Sequence, residues 1–409
     1  MSRFLFNLFL FPLFVFSNSI ELGIDRFFKE GYAKEFEGKR IGLITNQTGV
    51  DSSLKSTVKL FLEHKNFQVT AFFAPEHGFD GKIYAGIAVK NAVEKEIPIF
   101  SLHGKTRRPT ADMLKKVDAL AFDIQDVGIR PYTYASTLFY VMEEAAKLSI
   151  PVIVLDRPNP MGGLMVDGPM LEESFRSFIG YINVPYCHGM TIGELANFFN
   201  TEYKIGCKLT VVPMKGWKRE MTFKDTGLSW IPTSPNIPES DTPYYCATTG
   251  LLGELELVNI GIGYTLPFKI VGAPWMNAEL FAKALNEQKI PGVVFTPIHY
   301  TPFYGSLKNV ECHGVKIHIT NLSLYRPLVT QSFLLGLLKT LYPEKVTAKL
   351  KALPPQKKEL FNKAHGSSAA YNFLLTEKFA TWKLINHHKT ERESFLQTRE
   401  KYLIYTASI

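Results

Sequence analysis

Short hydrophobic runs alternate with amphipathic stretches through the first half of the chain. The runs are rich in Val, Ile, Leu and Phe and too short for helices, which is typical of strands buried on both faces. This alternation predicts an α/β fold with a parallel sheet covered by helices. The predicted strands are 40–46, 69–75, 97–102, 119–126 and 151–158, and the predicted helices are 53–65, 110–116, 135–148 and 192–202.

Polar residues follow several predicted strands at their carboxyl ends. The stretch FFAPEHGFDG, for example, ends a buried run with Glu76 and His77 before glycines turn the chain. Ligands of parallel α/β sheets bind in the crevice beyond these strand ends. We therefore predict a functional site at this edge of the sheet. Its candidate residues are Asn46, Glu76, His77, Asp123, Asp126, Asp156 and Asn159.

Some of these residues have a structural alternative. Asp156 and Asn159 lie in LDRPNPMGG, whose Asp, Asn, Pro and Gly residues all favour turns. Asp123 interrupts a buried apolar run and needs a partner, and we expect Arg130 to supply it. An ion pair of this kind is an alternative to a role of Asp123 in the site.

The stretch HGMTIGELANFF contains the start of a helix. Thr191 and Glu194 have the spacing of a capping box, so Glu194 is expected to cap the helix 192–202 before it is considered as a catalyst. His188 precedes this start and remains free to point into the cleft.

The first 19 residues have the composition of a secretory signal. Arg3 is followed by an apolar run and by the small residues Ser17 and Ser19, which predicts cleavage before Ile20. A membrane anchor is the alternative, but the run is shorter than the ~18 to 20 apolar residues of a span. We expect export to the periplasm or the extracellular space, with no stable membrane span.

The net charge bears on the binding partners, and the cysteine spacing bears on metal binding and disulfides. The net charge of +8 suits contact with anionic polymers of a cell envelope, but the basic residues are dispersed, so nucleic acid is not expected as a partner. The four cysteines form no C-x-x-C pair, which argues against a metal knuckle. Cys187 and Cys207 could be bridged in an oxidising compartment, although free buried thiols are favoured.

Several chemistries common in α/β proteins lack their motifs here. No G-x-G-x-x-G follows the first strand, and neither a Walker loop nor a G-x-S-x-G elbow occurs. A metal site of Glu76, His77 and Asp123 has no usual ligand spacing, so neither a metal nor a cofactor is expected. Carboxylate acid–base chemistry needs only a glutamate and a second polar group. Burial of Glu76 against nearby phenylalanines is expected to raise its pKa.

Six motifs together resemble the NamZ-type exo-β-N-acetylmuramidases. The resemblance covers nearly the whole chain after the signal, from about residue 23 to 405. The motifs are PEHG at 75–78, DIQDVGIRPYTY at 123–134, LDRPNPMGG at 155–163, HGMTIGELA at 188–196, SPNIP at 234–238 and GAPW at 272–275.

The resemblance implies a two-domain architecture and an activity. It implies a Rossmann-like catalytic domain over 20–238 and a smaller α/β domain over 239–409 that closes a cleft. It also implies release of terminal N-acetylmuramic acid from peptidoglycan fragments, with Glu76 of the PEHG motif as the catalytic acid or base. The expected substrate-binding residues are Asn46, His77, Asp123, Asp126, Arg130, Tyr132, Tyr134, Asn159, His188, Glu254 and Asn259.

Glycines around Glu76 predict how the substrate enters. Gly78, Gly81 and Gly86 indicate a mobile loop that carries Glu76 and closes over one bound sugar. A pocket closed by a second domain accepts a chain end, so we expect release of terminal sugars from short fragments.

Residues 254–268 depart from the family pattern. Many relatives carry a segment resembling EGTNVSEGRGTTRPF, whereas this chain has ELELVNIGIGYTLPF, with Ile262 at the position of an arginine and Leu257 at that of an asparagine. Two functions therefore stand. The chain is an exported glycosidase, or it is a non-catalytic glycan-binding protein of the same fold. Retention of Glu76 favours the enzyme, because binding alone needs no acid there.

Overall fold

The computed structural model describes residues 20–407. The predicted secretory signal, 1–19, lies outside these described residues. Within the described part of the chain, no helix combines the length and the apolar character needed to cross a bilayer.

The first part of the chain forms a mostly parallel sheet. Its seven strands in the described region have the order β3-β4-β2-β1-β5-β6-β7, and only β3 runs antiparallel to its neighbour. The chain adds strands first on one side of β1 and then on the other, which is typical of doubly wound sheets. The strands are β1 (Arg40–Thr45), β2 (Gln68–Ala74), β3 (Ala92–Glu94), β4 (Ile97–Ser101), β5 (Ala119–Asp123), β6 (Val152–Leu155) and β7 (Leu209–Val212).

Both faces of this sheet are buried, as the continuous apolar runs predict. Successive residues of β2 point to opposite faces, so Phe72 packs in one core and Phe73 in the other. The covering helices are α1 (Gly23–Lys29), α2 (Thr57–Glu63), α3 (Ala111–Leu114), α4 (Thr133–Lys147) and α5 (Ile192–Glu202). The predicted α/β class with a parallel sheet is confirmed.

Several predicted elements are longer than the observed ones, and hydrogen bonds explain the difference for two of them. The helix expected over 53–65 begins only at Thr57, because the Asp51 carboxylate accepts backbone N–H groups from Ser53 and Lys55 and holds a turn there. The strand expected over 119–126 ends at Asp123, because the backbone N–H of Gln125 donates to Oγ1 of Thr48 (2.9 Å).

The second part of the chain adds a smaller sheet and a set of helices. In the described region its three antiparallel strands have the order β8-β10-β9. These strands are β8 (Ile270–Ala273), β9 (Val293–Tyr300) and β10 (Cys312–Ile319). The helices are α6 (Thr242–Glu254), α7 (Ala278–Glu287), α8 (Pro327–Leu341), α9 (Pro343–Ala352), α10 (Pro355–His365), α11 (Ala369–Thr376), α12 (Thr381–Asn386) and α13 (Lys389–Arg399).

Two segments join the parts. After β5, the side chains of Val127 and Ile129 pack into the core of the second part. The end of the chain packs on the first part. The Tyr405 hydroxyl donates to the buried Asp156 carboxylate (2.6 Å), and the backbone N–H of Ile404 donates to Glu194 (2.9 Å). Residues beyond the carboxyl ends of the large sheet are therefore contacted by both halves of the chain.

The cysteines are free thiols, as favoured by the sequence. Cys187, Cys207 and Cys312 are buried and Cys246 is half-buried. Burial raises the pKa of Cys207 to about 12, so this thiol stays protonated and unreactive at neutral pH.

Candidate active site

Glu76 lies just beyond the carboxyl end of β2, where the chain turns sharply. His77 has φ +70° and Gly78 has φ +83°, two successive left-handed residues that end the strand direction. His77 holds this turn through its ring, because Nδ1 lies 2.7 Å from the carbonyl oxygen of Ile83. The turn presents Glu76 at the edge of the sheet with 8% of its surface exposed.

The Glu76 carboxylate has a hydrogen-bond donor on each oxygen. The backbone N–H of Gly86 donates to Oε1 (2.9 Å), and the Thr133 hydroxyl donates to Oε2 (2.6 Å). Thr133 is the first residue of α4, whose positive N-terminal end favours a nearby anion. The carboxylate is thus held in one orientation by the loop that follows it and by the helix after β5.

His103 is the third neighbour of this carboxylate. Its Nε2 lies 3.5 Å from Oε1 of Glu76, and both side chains are almost wholly buried. Among the described residues, no group hydrogen-bonds to Nδ1 of His103. Sequence reasoning missed His103, although the strand end that carries it was predicted. Extending the strand-end rule to the SLHG segment would have found it.

The ionisation of Glu76 differs from the expectation. Burial raises its pKa, but the charge of His103 and the hydrogen bonds from Thr133 and Gly86 outweigh burial and leave the pKa below its ordinary value. Burial lowers the pKa of His103, and the negative charge of Glu76 opposes this shift without cancelling it. The predicted raised pKa of Glu76 is therefore wrong: the residue is a carboxylate at neutral pH, beside a neutral imidazole.

Asp126 is a carboxyl group whose pKa is shifted in the opposite direction to that of Glu76. Burial raises the pKa of Asp126 to about 7, although the backbone N–H groups of Gly128 and Val127 oppose this. Its Oδ2 accepts from Gly128 (2.8 Å), and no described residue hydrogen-bonds to its Oδ1. Asp126 and Glu76 both lie close enough to the Tyr134 hydroxyl to raise the pKa of that phenol, after the larger effect of burial. The site therefore contains two carboxyl groups with opposite pKa shifts.

Tyr132 and Tyr134 form the wall between these groups and the next loop. Their rings meet edge to face at 4.8 Å, and both hydroxyls contact Thr233, at Oγ1 (2.9 Å) and at the carbonyl oxygen (2.6 Å). Tyr134 is fully buried, whereas Tyr132 is half-buried. Of the two tyrosines, only Tyr132 therefore has surface accessible to a ligand.

The predicted ion pair between Asp123 and Arg130 does not form. Asp123 pairs instead with Arg157 (Nε to Oδ1, 2.6 Å), which follows β6, the strand next to β5. The chain turns at Gly128, and Arg130 does not contact Asp123. Its guanidinium donates to four backbone carbonyls, those of Pro169, Val184, Ala364 and His365. Their contacts are internal to the protein: Asp123 joins adjacent strand ends, and Arg130 joins the two parts of the chain.

Several other candidates are engaged in turns and caps. The capping box of Glu194 is confirmed, and this carboxylate also pairs with Arg219 (2.7 Å). Asp156 accepts from Thr191 (2.8 Å) and from two backbone N–H groups, and burial raises its pKa to about 7. Asn159 accepts from the N–H of Met161 and donates to the carbonyl of Met190, so it builds the turn that its sequence favours.

Asn46 combines a turn with a free donor. Its Oδ1 accepts from the backbone and the hydroxyl of Thr48, whereas its Nδ2 has no hydrogen-bond partner among residues 20–407.

His188 is 1% exposed, and its Nδ1 accepts from the backbone N–H of Met190 (3.2 Å). Burial lowers the pKa of His188 to about 3. His188 is thus a neutral, buried ring.

The two candidates in the second part of the chain have their contacts within that part. The Asn259 amide bridges the carbonyls of Ile262 and Ser306 and accepts from the Tyr300 hydroxyl, so its polar atoms hold loops. Glu254 ends α6 and is half-buried, and burial raises its pKa.

An exposed arginine borders the site on the His103 side. The Arg107 guanidinium lies 4.4 Å above the Phe178 ring, which in turn lies 5.8 Å from the His103 ring. Arg107 is close enough to His103 to depress the pKa of that imidazole further, after the effects of burial and Glu76. Within the described chain no carboxylate pairs with Arg107, so its charge is available to a ligand.

The loop that carries Glu76 meets a loop of the second sheet. The rings of Tyr84 and Tyr304 are 5.8 Å apart, and the Tyr304 hydroxyl donates to Asn236 (3.1 Å). Gly78, Gly81 and Gly86 all have positive φ in this loop. Both halves of the chain therefore border one side of the site.

The chain matches two family models that together span most of its length. Residues 41–241 match the N-terminal model of exo-β-N-acetylmuramidase NamZ, and residues 244–405 match its C-terminal model. A peptidoglycan β-N-acetylmuramidase NamZ of Bacillus subtilis is 40% identical over 392 residues, which cover 94% of this chain and 91% of the relative.

Two solved structures share the fold. Both are DUF1343 family proteins of Bacteroides fragilis, and the alignment covers 95% of this chain and 99% of each of them. The first has a TM-score of 0.88 at 39% identity, and the second a TM-score of 0.70 at 28% identity. With both family models matched in order and the PEHG glutamate at the edge of the sheet, the chain belongs to the NamZ family of exo-β-N-acetylmuramidases, which are glycosidases.

Proposed function

We propose that this protein removes terminal N-acetylmuramic acid from peptidoglycan fragments and that Glu76 is its catalytic carboxylate. The observation that carries this proposal is the position of Glu76: an ionised, mostly buried carboxylate oriented by Gly86 and Thr133. Family membership and the activity named for the Bacillus subtilis relative support the reaction class.

The reaction needs a negative charge and a proton donor on either side of the glycosidic bond. Glu76, with its lowered pKa, supplies the negative charge that stabilises the positive charge developing on the sugar. Asp126, whose pKa burial raises to about 7, holds a proton that can be donated to the leaving oxygen. Two carboxyl groups with pKa values driven apart by their surroundings are the usual basis of such a division of roles.

Arg107 accounts for recognition of muramic acid. This sugar differs from N-acetylglucosamine by a lactyl ether that ends in a carboxylate, and a guanidinium binds a carboxylate through two parallel hydrogen bonds. Arg107 presents such a group beside His103. The family's arginine position in the 254–268 segment is Ile262 here, which is half-buried against the second core, so the carboxylate needs another cation.

The loop contact between Tyr84 and Tyr304 supports attack at chain ends. It places residues of the second part of the chain against the loop that carries Glu76, which limits the space for glycan on that side. A glycan whose non-reducing terminal residue is muramic acid should release monosaccharide from the first minutes of digestion. Early release of mixed-length fragments from intact glycan would contradict the exo mode.

A non-catalytic glycan-binding role is the second candidate. It is favoured by the substitutions at 257 and 262, where Leu257 is buried and Ile262 half-buried. Incubation of the mature protein with a chromogenic β-N-acetylmuramide separates the two roles. Release of the chromophore, lost in Glu76→Gln, supports the enzyme; saturable binding of the glycan without release supports the binding protein.

We also propose that the protein is exported and cleaved before Ile20. The support is the arrangement of Arg3, the apolar run and the small residues Ser17 and Ser19. Mass spectrometry of the protein recovered from the cell envelope or the medium should give an N-terminus at Ile20. An intact N-terminus on protein recovered from the cytoplasm would contradict this.

A further inference from the structure

Two adjacent histidines and a glutamate meet at the junction between the two parts of the chain. Glu172 lies between β6 and α5, and His387 and His388 connect α12 to α13. One potential ligand atom from each of the three side chains lies within 4.8 Å of the other two. Nε2 of His388 is 3.7 Å from Oε1 of Glu172, and the two imidazole rings are 3.8 Å apart.

The backbone at this junction is held in an unusual conformation. His388 has φ +56°, a left-handed conformation that costs free energy in a residue with a Cβ. This conformation turns α13 away from α12 and places both imidazoles beside Glu172. The Arg392 guanidinium fixes the turn, since it donates to the carbonyls of His387 (2.7 Å) and Gly168 (3.0 Å).

The ring nitrogens are available as ligands. Within residues 20–407, Nδ1 of His388 is buried without a hydrogen-bond partner. When Nε2 of His387 donates to the Ser367 hydroxyl (3.2 Å), the lone pair stays on Nδ1 of that ring, and Ser367 orients the imidazole as an outer-shell partner does.

From this geometry we infer that Glu172, His387 and His388 form a binding site for a divalent transition-metal ion of the zinc type. Two imidazoles and one carboxylate are a ligand set that zinc accepts, with water at the fourth position. Tetrahedral zinc with bonds of ~2.1 Å places its ligand atoms ~3.4 Å apart, so the three side chains must close around the ion. The Glu172 side chain is 39% exposed and has the freedom to do so.

Local charges both favour and oppose the ion. Glu391 lies within electrostatic range of both histidines and adds a second negative charge, whereas Arg392 is near both rings and Arg130 is near His388. The direct bonds to three ligand atoms must therefore overcome two nearby guanidinium groups. This makes the site selective for an ion that imidazole binds strongly, rather than for magnesium or calcium.

A bound ion would link the two parts of the chain. The Glu172 backbone N–H already donates to Gly366 (2.8 Å), next to the carbonyl of His365 that accepts from Arg130. The ion would add a cross-link from the segment after β6 to the α12–α13 junction. Its expected effect is on stability, because none of its ligands belongs to the Glu76 site.

Calorimetric titration of the EDTA-treated mature protein with zinc chloride tests the site. We expect one equivalent to bind, with a rise in Tm of roughly 3 °C at a hundredfold excess over Kd. Titration with cobalt(II) should give the visible absorption of a tetrahedral site. Glu172→Gln and His388→Asn should each weaken binding about tenfold or more; asparagine suits the left-handed position, and Glu172→Gln provides a second test if that variant fails to fold.

The matched control is the exposed histidine pair on the second sheet. His299 and His313 are neighbours across β9 and β10, with Nδ1 atoms 2.8 Å apart, and could bind zinc adventitiously. His313→Asn should leave the titration unchanged. The inference is overturned if no zinc binds, or if His313→Asn abolishes binding while Glu172→Gln and His388→Asn retain it.

Discussion

Glu76 and His103 each stand two residues beyond one register pair of the large sheet. Ala74, the last residue of β2, is paired with Ser101, the last residue of β4, and the chain continues from both through one residue to the site. Because parallel neighbours end at the same edge, this equal spacing brings the carboxylate and the imidazole to 3.5 Å. The sheet register thus sets the position of His103 relative to the proposed catalytic carboxylate.

Replacing Glu76 by glutamine should abolish most of the activity and leave the fold intact. The isosteric amide keeps the size of the side chain but removes the negative charge, so we expect turnover to fall by ~100-fold or more. Melting temperature and turnover of a chromogenic N-acetylmuramide are the measurements. Asp80→Asn is the matched control, because Asp80 lies in the same loop with an exposed carboxylate paired to Lys82. Turnover near the wild-type value in Glu76→Gln would remove Glu76 from the mechanism.

His103→Asn should move the acid limb of the pH profile. The protonated His103 lowers the pKa of Glu76, so its loss raises that pKa, and the acid limb of kcat/KM should shift to higher pH. A residue that only supports the fold would change the melting temperature and leave the limb in place. His299→Asn, at an exposed histidine, provides the control.

Asp126→Asn should affect substrates according to their leaving group. If Asp126 donates the proton, its loss should slow hydrolysis of a natural disaccharide by ~100-fold, and that of a nitrophenyl glycoside much less, because nitrophenolate leaves without protonation. The wild-type rate should also fall above about pH 7 as Asp126 loses its proton, and this limb should disappear in the variant. Equal losses on both substrates would assign Asp126 a structural role.

Arg107→Gln should alter the choice of sugar. Loss of a charge-assisted contact to the lactyl carboxylate should lower kcat/KM for an N-acetylmuramide by about 10- to 100-fold. The rate on the corresponding N-acetylglucosaminide, which lacks that carboxylate, should change little. Lys105→Gln, a nearby exposed position, is the control. An equal loss on both sugars would show that Arg107 does not read the lactyl group.

The buried His188 should make stability depend on pH. Its folded pKa of about 3 lies below the ordinary 6.5, so the unfolded chain takes up a proton first as the pH falls, and this contribution to stability is lost below about pH 6.5. His188→Asn lacks this titration, so the gap in unfolding free energy between wild type and variant should move by about 2.5 kcal/mol in favour of the variant between pH 7 and pH 4.5. A gap that stays constant between these pH values contradicts this assignment.

The sequence predicted the strand that carries Glu76 and the edge at which it lies, because apolar runs and turn residues are local signals. It could not predict the partner of Asp123. Arg130 is nearer along the chain, but Arg157 lies beside Asp123 because β6 is the neighbour of β5. The pKa of Glu76 was also beyond local reasoning, since it depends on Thr133 and Gly86, brought to the carboxylate by a helix start and a loop.

The strands of the second sheet were not predicted at all. β9 includes Thr296, Pro297 and His299, and β10 includes a glycine and two histidines, so neither contains a long apolar run. Antiparallel strands with one face near solvent have this weaker signal.

The contact of Tyr405 with Asp156 has a consequence for the order of folding. A ribosome makes the residues of the large sheet first, yet the buried carboxylate at its edge obtains one of its donors only from the end of the chain. The Glu194 carboxylate likewise accepts a hydrogen bond from the backbone N–H of Ile404, which is also made at the end of synthesis. The first half of the molecule can therefore reach its final packing only after synthesis is nearly complete, which keeps the growing chain short of its native state during translation.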